Sequence, residues 1–591
     1  MSSKFASCGH IAFASGRIFL CIVVVHMVLL VYGLTIHSPT WDEIGHMGAG
    51  GLHWTHGDFS TYRVNPPLVR LVATLPVYVS GATWPPLEPT SNPYSRYEFT
   101  AGSEFISLNP STFQTHFILA RLAVTPFSLV GAVVCFCWAR DLWGRGAGIF
   151  SVLMWCFCPS VVGNAQLITP DVPAASLAAA TSYLLWRWLG FSSWRNALLA
   201  GLSLGIALLT KGTLLLLFPL GLLTFAAWLV MNHTTTRARL FLQFSVINVL
   251  GIYILNLGYL FEGSLVPLGQ YEFTSKSLNA NFSDDGTPSS GNCFQGTALG
   301  ALLVPLPYNY VRGLDLQKYD FERPRWSYLN GEWRQHGWWY YYLYAILVKL
   351  PVGDLVILLI AIWYNIIGVF RGAPYKNLIV LMLPVLIFFI VLCTQTGLSR
   401  HHRYAIVVLP YLFVLCGSIA RGPLGIAKVG WLLLSYSVCS SMWYYPHSLS
   451  YFNEIVGGPR NGAQHLLDSN IDWGQDMYLL KDWCDQHPDA KPFYLSPKVP
   501  HWLLDPGSLG FEKVSKLSDA LSDNDGILPG WHAVSVASLH SRTGYYRHFS
   551  DLAPVDRIGY SMYIFHISHD QAVRVRDRLL LANHETVEGD D

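Results

Sequence analysis

Residues 40–68 read TWDEIGHMGAGGLHWTHGDFSTYRVNPPL, and they follow directly on the apolar segment Ile18–Leu34, which can enter a membrane. An acidic pair beside a bilayer is costly to keep, so it marks a functional site by default. Asp42 and Glu43 are therefore candidate functional residues. The alternative is that they only cap a helix in a loop between two membrane segments. The stretch predicts a membrane protein with a polar site at its surface.

The composition indicates a polytopic membrane protein. Of 591 residues, 52% are hydrophobic, 14% are aromatic and only 13% are charged. The formal net charge of +1 argues against nucleic acid as a partner. The 21 Trp and 31 Tyr residues suit two interfacial belts, where amphipathic rings lie at the level of the lipid headgroups.

Eleven segments have the length and apolar character of membrane spans. They are Ile18–Leu34, Phe117–Trp138, Ala147–Val162, Val172–Trp186, Ala197–Leu209, Thr213–Val230, Leu240–Tyr259, Val352–Phe370, Leu378–Val391, Tyr404–Ala420 and Val429–Trp443. Residues 64–82 are apolar but are broken by three prolines, so they predict an interfacial or re-entrant helix. Trp338–Lys349 is expected along the outer interface.

Basic residues fall on every second connection between these spans. By the positive-inside rule those connections and the N-terminus are cytoplasmic. The pairs are Arg140/Arg145, Arg187/Arg195, Arg237/Arg239, Arg371/Lys376 and Arg421/Lys428. The loops 35–116 and 260–337, and the tail after Trp443, are then external.

The tail, residues 444–591, predicts a small external α/β domain after the membrane domain of residues 1–443. Alternating patterns predict strands at Lys491–Ser496, Trp531–Leu539 and Tyr560–Ile567, followed by a helix at His569–Glu585. Cysteines in apolar segments read as small hydrophobic residues. Cys293 and Cys484 lie in long polar segments, where a disulfide between them is an option that the sequence does not decide.

Two further external turns carry candidate residues. Thr169-Pro170-Asp171 opens a helix, where an Asp is ordinarily a cap. Thr210-Lys211-Gly212 puts an ammonium group at the outer interface, where a snorkelling lysine is the alternative.

A third turn, residues 397–404, contains Arg400, His401, His402 and Arg403 on the outside, against the positive-inside trend. A phosphate would explain the excess charge, because arginine matches its oxygens bidentately and a helix N-terminus adds backbone donors. A metal held by the histidines with Asp42 or Asp171 is the alternative.

The densest polar segment is HSLSYFNEIVGGPRNGAQHLLDSNIDWGQDMYLLKDW, residues 447–483. Carboxylate, amide and indole groups suit a sugar, whose hydroxyls bind Asp and Asn while a ring face packs on Trp. The alternatives are an Asx-rich turn and a calcium site. The predicted substrate-binding residues are His402 from the preceding turn and, from this segment, Asp468, Asn470, Asp472, Trp473 and Gln475.

These motifs resemble those of the protein mannosyltransferase and aminoarabinose transferase superfamily, lipid-carrier-dependent membrane glycosyltransferases with the GT-C fold. The acidic pair, the Thr-Pro-Asp turn, the Thr-Lys-Gly turn and the YFNE…DSN-x-DWGQD stretch carry the resemblance. It implies an all-α polytopic fold of the bacterial type, with the small external α/β domain at its C-terminus. It also implies inverting transfer of a sugar from a polyprenyl-phosphate donor to an acceptor on the external face of an inner membrane.

The resemblance also implies roles for individual residues. Asp42 would be the general base, with Glu43 and Asp171 orienting groups or holding a divalent cation. The donor phosphate would be bound by Arg403, Arg400, Lys211 and Arg63. A transporter or flippase of lipid-linked sugars is the rival prediction, although transporters place polar residues near the bilayer midplane and in paired repeats.

Overall fold

The structure is a computed structural model that describes residues 2–88, 95–232, 237–281, 291–323, 325–372, 375–512, 514–517, 528–544 and 546–575. Four helices form its N-terminal part: α1 (Ser2–Ile36), α2 (Trp41–His56), α3 (Leu68–Val79) and α4 (Tyr97–Leu108). A capping box of Thr40 and Glu43 starts α2, and Gly57, in the left-handed conformation with φ 65°, ends it. Because α3 has only 12 residues, it is about 18 Å long, too short to cross a bilayer unaided.

The α2 and α4 helices touch through their backbones. A Cβ atom at Gly48 would lie 2.4 Å from the backbone nitrogen of Gly102, and one at Gly102 would lie 2.1 Å from the carbonyl oxygen of Ile44. Only glycine permits this approach. The contact fixes the first turn of α2, which carries Asp42.

Eight helices follow along the chain: α5 (Phe113–Val124), α6 (Pro126–Trp143), α7 (Arg145–Phe157), α8 (Pro159–Ala165), α9 (Asp171–Gly190), α10 (Trp194–Leu208), α11 (Leu217–Met231) and α12 (Arg237–Leu257). The second long loop then contains β1 (Val266–Pro267), β2 (Leu303–Val304), α13 (Tyr308–Glu322), β3 (Trp326–Leu329), β4 (Glu332–Gln335) and α14 (Tyr341–Lys349). The last apolar helices are α15 (Val352–Phe370), α16 (Lys376–Thr394), α17 (Leu409–Cys416) and α18 (Leu424–Tyr444).

Each of the eleven predicted segments lies on helix, and the chain is a multi-pass membrane protein. In the described parts of the chain, eight helical stretches are long and apolar enough to span a bilayer, and nine if α7 and α8, bent by 58°, are one span. The other two predicted segments are α9, which is mostly buried among its neighbours, and α10, which has 15 residues. The count of eleven spans stays a prediction.

The C-terminal part contains α19 (Gly462–His465), α20 (Met477–Gln486), β5 (Phe493–Ser496), β6 (Ser515–Lys516), β7 (Gly530–Ser535), α21 (Val536–Leu539), β8 (Asp556–Ile558) and β9 (Met562–Ile567). The five strands form one mixed sheet in the order β6-β5-β7-β9-β8. Strand β5 is parallel to both β6 and β7, and β9 is antiparallel to β7 and β8.

The structure refines three predictions for the tail. The second predicted strand ends at Ser535 and not at Leu539, because the Ser535 side chain caps α21. The final helix begins at residue 569 as expected, and the described part ends at residue 575. Cys293 and Cys484 are both free, so the disulfide option was wrong for this pair. The domain boundary at residue 444 stays a prediction, since the segment after it packs against the membrane helices.

Candidate active site

A polar cavity opens where the N-terminal ends of α2 and α9 meet the turn after α10 and the 3₁₀ segment His402–Val408. Five of the predicted site residues line it: Asp42, Asp171, Lys211, Arg400 and Arg403. Asp42 and Asp171 each lie in the first turn of a helix, where the backbone dipole favours a negative charge. The cavity therefore brings together residues from four distant segments of the chain.

Arg403 joins the two carboxylates. Its Nη2 donates to Asp42 Oδ2 at 2.7 Å, and its Nη1 donates to Asp171 Oδ2 at 3.3 Å. Its guanidinium carbon lies 4.1 Å from the centroid of the Trp473 ring, a cation–π contact. These contacts hold the guanidinium in one orientation with its charge directed into the cavity.

Lys211 completes this network. Its Nζ donates to Asp171 Oδ1 at 2.6 Å and lies 4.5 Å from the centroid of the Tyr404 ring. The residue is buried, so the ammonium points into the protein and does not snorkel towards the lipid headgroups.

Glu43 does not line the cavity. Its carboxylate is fully buried and forms a bidentate ion pair with Arg121, at 2.7 Å from Nε and 2.6 Å from Nη2. It also accepts hydrogen bonds from the backbone nitrogens of Thr40 and Ile168. Although burial raises the pKa of Glu43, Arg121 and these donors outweigh it and lower the pKa overall. The geometry gives Glu43 a positioning role: it ties the start of α2 to the turn before α9.

Several cavity residues carry no sequence pattern that marks them. Arg96 Nη1 lies 3.5 Å from Asp320 Oδ2, and Arg325 Nη2 lies 2.5 Å from Asp320 Oδ1.

His46 lies one turn after Asp42 on α2 and also lines the cavity. His46 is buried with no partner for its Nδ1, and burial, together with Arg70, lowers its pKa well below the usual value. It is therefore a neutral hydrogen-bonding group at the cavity wall.

Cations outnumber carboxylates among the side chains that line the cavity, and two of these cations, Arg96 and Arg400, also pair with Glu98 and Asp468, which do not line it. Among the described lining residues, five side chains are cationic (Arg96, Lys211, Arg325, Arg400 and Arg403) and three are carboxylates (Asp42, Asp171 and Asp320). Tertiary structure thus concentrates cations in a protein whose net charge is close to zero. Such a site attracts a multiply charged anion.

An apolar groove adjoins the polar cavity. Both are lined by Lys211, Gln317 and Tyr404. The groove's remaining lining residues are mostly aliphatic or aromatic and come from α13, α16 and the 3₁₀ segments Gly212–Leu216 and His402–Val408: Thr213, Leu216, Phe321, Phe388, Val391, Leu392 and Val407. With a volume of about 30 Å³, the groove offers an apolar surface to the first atoms of a chain whose charged head lies in the cavity.

The polar side chains of the Asp468–Asp476 segment form hydrogen bonds and ion pairs mainly with other groups of the protein. Asp468 pairs with Arg400 at 2.8 Å and with Lys498, and these cations hold the pKa of Asp468 well below its usual value despite burial, which acts in the opposite direction. The Asn470 side chain accepts from the His402 backbone nitrogen at 2.8 Å and donates to the Arg400 carbonyl at 2.8 Å. The segment therefore positions the turn that carries Arg403.

Asp472 and Gln475 are also used internally. Asp472 accepts from the Ser535 hydroxyl and from the Gly474 backbone nitrogen, while Gln475 accepts from the Trp473 backbone nitrogen and donates to Ser450. Both side chains are buried. The structure lends no support to the predicted sugar-binding role of Asn470, Asp472 and Gln475, because their polar atoms are bonded within the protein, and the role stays a prediction. The Asx-rich alternative describes them better.

Two other predicted residues lie outside the cavity. Arg63 points away and donates from Nε to Asn309 Oδ1 at 2.7 Å, so the structure does not bring it to Arg403. The His402 side chain is buried and does not line the cavity either. Its backbone nitrogen contacts Asn470 instead, because the 3₁₀ turn directs consecutive side chains to different sides.

The carboxylates are not arranged as metal ligands. Within the described ranges, no group of three or more His, Cys, Asp or Glu side chains is placed to hold a metal ion. Asp42 and Asp171 are instead paired with Arg403 and Lys211. These residues do not fit a divalent cation, and no step of the proposed reaction uses one.

Asp476 belongs to a buried cluster at the contact between the C-terminal part and α1. Its Oδ2 accepts from the Ser561 hydroxyl at 2.6 Å, and its Oδ1 lies 3.6 Å from His37 Nδ1 and 3.8 Å from His447 Nδ1. Burial raises the pKa of Asp476 to about 7, and burial lowers the pKa of both histidines. Between about pH 4 and pH 7 the Asp476 carboxyl is therefore mostly protonated and lies beside the uncharged imidazole of His37.

This cluster predicts that Asp476 and its histidine neighbours change the stability in opposite directions as the pH rises. The folded protein keeps a proton on Asp476 that an unfolded Asp releases near pH 4, so the contribution of Asp476 is complete below about pH 4 and is lost as the pH rises through about 7. Burial lowers the pKa of His37 to about 4, so His37 contributes in the opposite direction, because an unfolded His binds a proton below about pH 6.5. We therefore expect the thermal midpoint of Asp476→Asn in detergent, relative to that of wild type, to rise between pH 5 and pH 8, whereas that of Asp489→Asn, at an exposed position of the same part of the chain, should not. A difference between wild type and Asp476→Asn that does not change with pH would contradict the assignment.

Residues 105–256 match the family described as dolichyl-phosphate-mannose-protein mannosyltransferase. The predicted family resemblance is thereby confirmed. The matched range contains two of the segments that line the cavity, those of Asp171 and Lys211. The search of curated proteins gives no significant match.

Solved structures that are similar to this chain include ArnT from Cupriavidus metallidurans. Its apo crystal structure is 15% identical, with a TM-score of 0.43 over 93% of this chain and 98% of that chain. The ArnT structure bound to undecaprenyl phosphate is 15% identical, with a TM-score of 0.44 over 94% and 98%. An Archaeoglobus fulgidus oligosaccharyltransferase, tethered with an acceptor peptide, is 10% identical, with a TM-score of 0.42 over 90% of this chain and 70% of that chain.

Proposed function

We propose that the protein is a glycosyltransferase that moves a hexose or pentose from a polyprenyl-phosphate donor to an acceptor on the external face of the membrane. One observation carries this proposal: the cationic cavity and the apolar groove share Lys211, Gln317 and Tyr404. A lipid-linked sugar phosphate needs a site of this kind, with cations for the phosphate and an apolar surface for the chain. The confirmed family resemblance supports the same reaction class.

The charges of the cavity suit the leaving group. As the bond between the anomeric carbon and the phosphate oxygen breaks, the lipid phosphate keeps the electron pair and gains charge. Fixed cations stabilise that charge in a site with little water. Arg403 is best placed for this, supported by Lys211 and Arg400. A phosphate that replaced a carboxylate as the partner of Arg403 would also release Asp42 Oδ2.

Asp42 is the proposed general base. In one displacement, the acceptor hydroxyl oxygen bonds to the anomeric carbon, its proton passes to Asp42, and the configuration inverts. Asp42 is 22% exposed, whereas Asp171 is fully buried, so Asp42 is the carboxylate that an acceptor can reach. His46, one turn further along the same helix, offers a neutral nitrogen to orient the hydroxyl.

The external location rests on charge distribution. Basic residues mark alternate short connections as cytoplasmic, and the cavity is built by the opposite ends of the helices. A polyprenyl-phosphate donor suits that side, where nucleotide sugars are absent. We propose a bacterial inner membrane, with the N-terminus in the cytoplasm and the C-terminus outside.

The test is transfer by the purified protein in liposomes. We expect release of free polyprenyl phosphate and a glycosylated acceptor when donor and acceptor are supplied on the side that carries the C-terminus, and none when both are on the other side. A set of polyprenyl-phosphate hexoses and pentoses would identify the donor sugar. Movement of intact donor across the bilayer, with no cleavage for any donor, would favour the flippase and refute the transferase.

A further inference from the structure

A second, larger cleft lies between the β3–β4 hairpin, α14, α19 and the C-terminal sheet. It has a volume of about 1200 Å³, and its described lining residues include none that line the cavity of Asp42 and Arg403. Pockets for small ligands usually occupy about 300–1,000 Å³. The cleft is therefore large enough for several sugar rings.

The charge of the cleft is of one sign. Arg460, Arg542 and Arg557 line it, and its described lining contains no Asp or Glu. In the part of the chain that the structure describes, no carboxylate lies within ion-pair distance of these three guanidinium groups. All three side chains are exposed, so their donors are available to an anion from solution.

Two of these arginines are oriented by aromatic rings. The guanidinium carbon of Arg542 lies 4.6 Å from the Trp326 ring centroid, and that of Arg557 lies 4.6 Å from the Tyr563 centroid. Such stacking uses the face of a guanidinium and leaves its N–H edge free for bidentate contact with a carboxylate, sulfate or phosphate. The arginines are thus partly preorganised.

The walls of the cleft are tied together. Trp333 Nε1 donates to the His540 carbonyl at 3.0 Å, which joins the hairpin to the C-terminal part. The Tyr344 hydroxyl contacts His465 Nδ1 at 2.6 Å, and the Asn330 backbone nitrogen donates to the His465 carbonyl at 3.0 Å. Tyr and Trp faces beside amide groups suit a ligand with both apolar ring faces and hydroxyls.

The cleft is also linked to the cavity through the chain. His465 lines the cleft, and three residues later Asp468 pairs with Arg400, which lines the cavity. We infer that the cleft binds an anionic saccharide, the part of the acceptor remote from the hydroxyl that reacts. The identification of this saccharide as the acceptor rests on the proposed function, whereas its binding to the cleft does not depend on catalysis.

The experiment measures binding of two oligosaccharides of equal length to the full chain in nanodiscs. The acidic probe is oligogalacturonate and the neutral probe is a maltooligosaccharide. We expect oligogalacturonate to bind more tightly than the neutral probe, and binding to weaken at high salt. The double variant Arg542→Gln/Arg557→Gln should bind it at least tenfold less tightly. The double Lys variant should recover part of the affinity, because it keeps the charges.

Arg334→Gln is the matched control, because Arg334 is an exposed arginine of the same hairpin that does not line the cleft. It should bind oligogalacturonate like wild type. Equal binding by wild type and the double Gln variant would overturn the inference, as would tighter binding of a single-stranded oligonucleotide of equal charge. Donor binding should be the same in all these proteins. If wild type bound oligogalacturonate but no polyprenyl-phosphate sugar, the proposed function would fail and the saccharide site would stand.

Discussion

Asp42→Asn should abolish sugar transfer while the protein still folds. The amide keeps the shape of the carboxylate, and its oxygen still accepts from Arg403, so the network around Asp171 is preserved. An amide cannot take the acceptor proton, and general base catalysis is worth roughly 10²–10⁴-fold in rate. The measurement is turnover with saturating donor and acceptor, alongside the thermal midpoint in detergent.

The controls separate chemistry from structure. Asp58→Asn changes a carboxylate of the same loop outside the cavity, where it accepts from Ser60 and Thr61, and should retain most of the activity. Glu43→Gln should instead destabilise the protein by about 3–5 kcal/mol, because it leaves the Arg121 charge buried without its partner. Turnover of Asp42→Asn close to wild type would remove Asp42 from the role of base and make Asp171 the next candidate.

Arg403→Ala should weaken donor binding and turnover more than any other single loss of positive charge in the cavity. A charge-assisted hydrogen bond is worth about 1.5–3 kcal/mol, which is roughly ten- to hundredfold. The substitution also leaves Asp42 without its partner and Asp171 with Lys211 alone. Arg403→Lys should recover only part of the donor affinity and turnover, since an ammonium keeps the charge but loses the bidentate geometry and the stacking on Trp473.

The measurement is affinity and turnover with a polyprenyl-phosphate sugar for wild type, Arg403→Ala and Arg403→Lys. Arg140→Ala is the comparison, because it removes an exposed arginine paired with Asp141, and such pairs contribute about 0–1 kcal/mol. It should leave affinity and turnover unchanged. If all three proteins bound and reacted equally, the phosphate would have to be held elsewhere, with Arg96, Lys211, Arg325 and Arg400 as the remaining cations of the cavity.

Part of the site could be predicted because each residue carried a local anomaly. Asp42 sits beside an apolar run, and Arg400 and Arg403 break the positive-inside pattern. Arg96, Asp320 and Arg325 carry no such anomaly, since an Arg or Asp in a polar loop is ordinary. Only folding places them against the cavity, so the sequence could not select them.

The polar segment at residues 468–476 shows the opposite case. Its density of Asp and Asn predicted a sugar site, but composition cannot say whether a carboxylate will meet a ligand or a protein donor. That depends on Ser535, Ser561 and Arg400, which come from distant parts of the chain and donate to Asp472, Asp476 and Asp468. In the folded protein, most of the segment instead positions the turn that carries Arg403.

The sequence by itself determined that this is a helical multi-pass membrane protein with a small α/β part at its C-terminal end. Apolar runs and alternating patterns are local properties, and burial from water or lipid acts on them directly. Only the tertiary structure decided that Asp42 meets Arg403 across 361 positions and that Glu43, its neighbour, turns to Arg121 instead. Adjacent residues on a helix point about 100° apart, so one side chain enters the cavity while the next is buried in the packing that holds it.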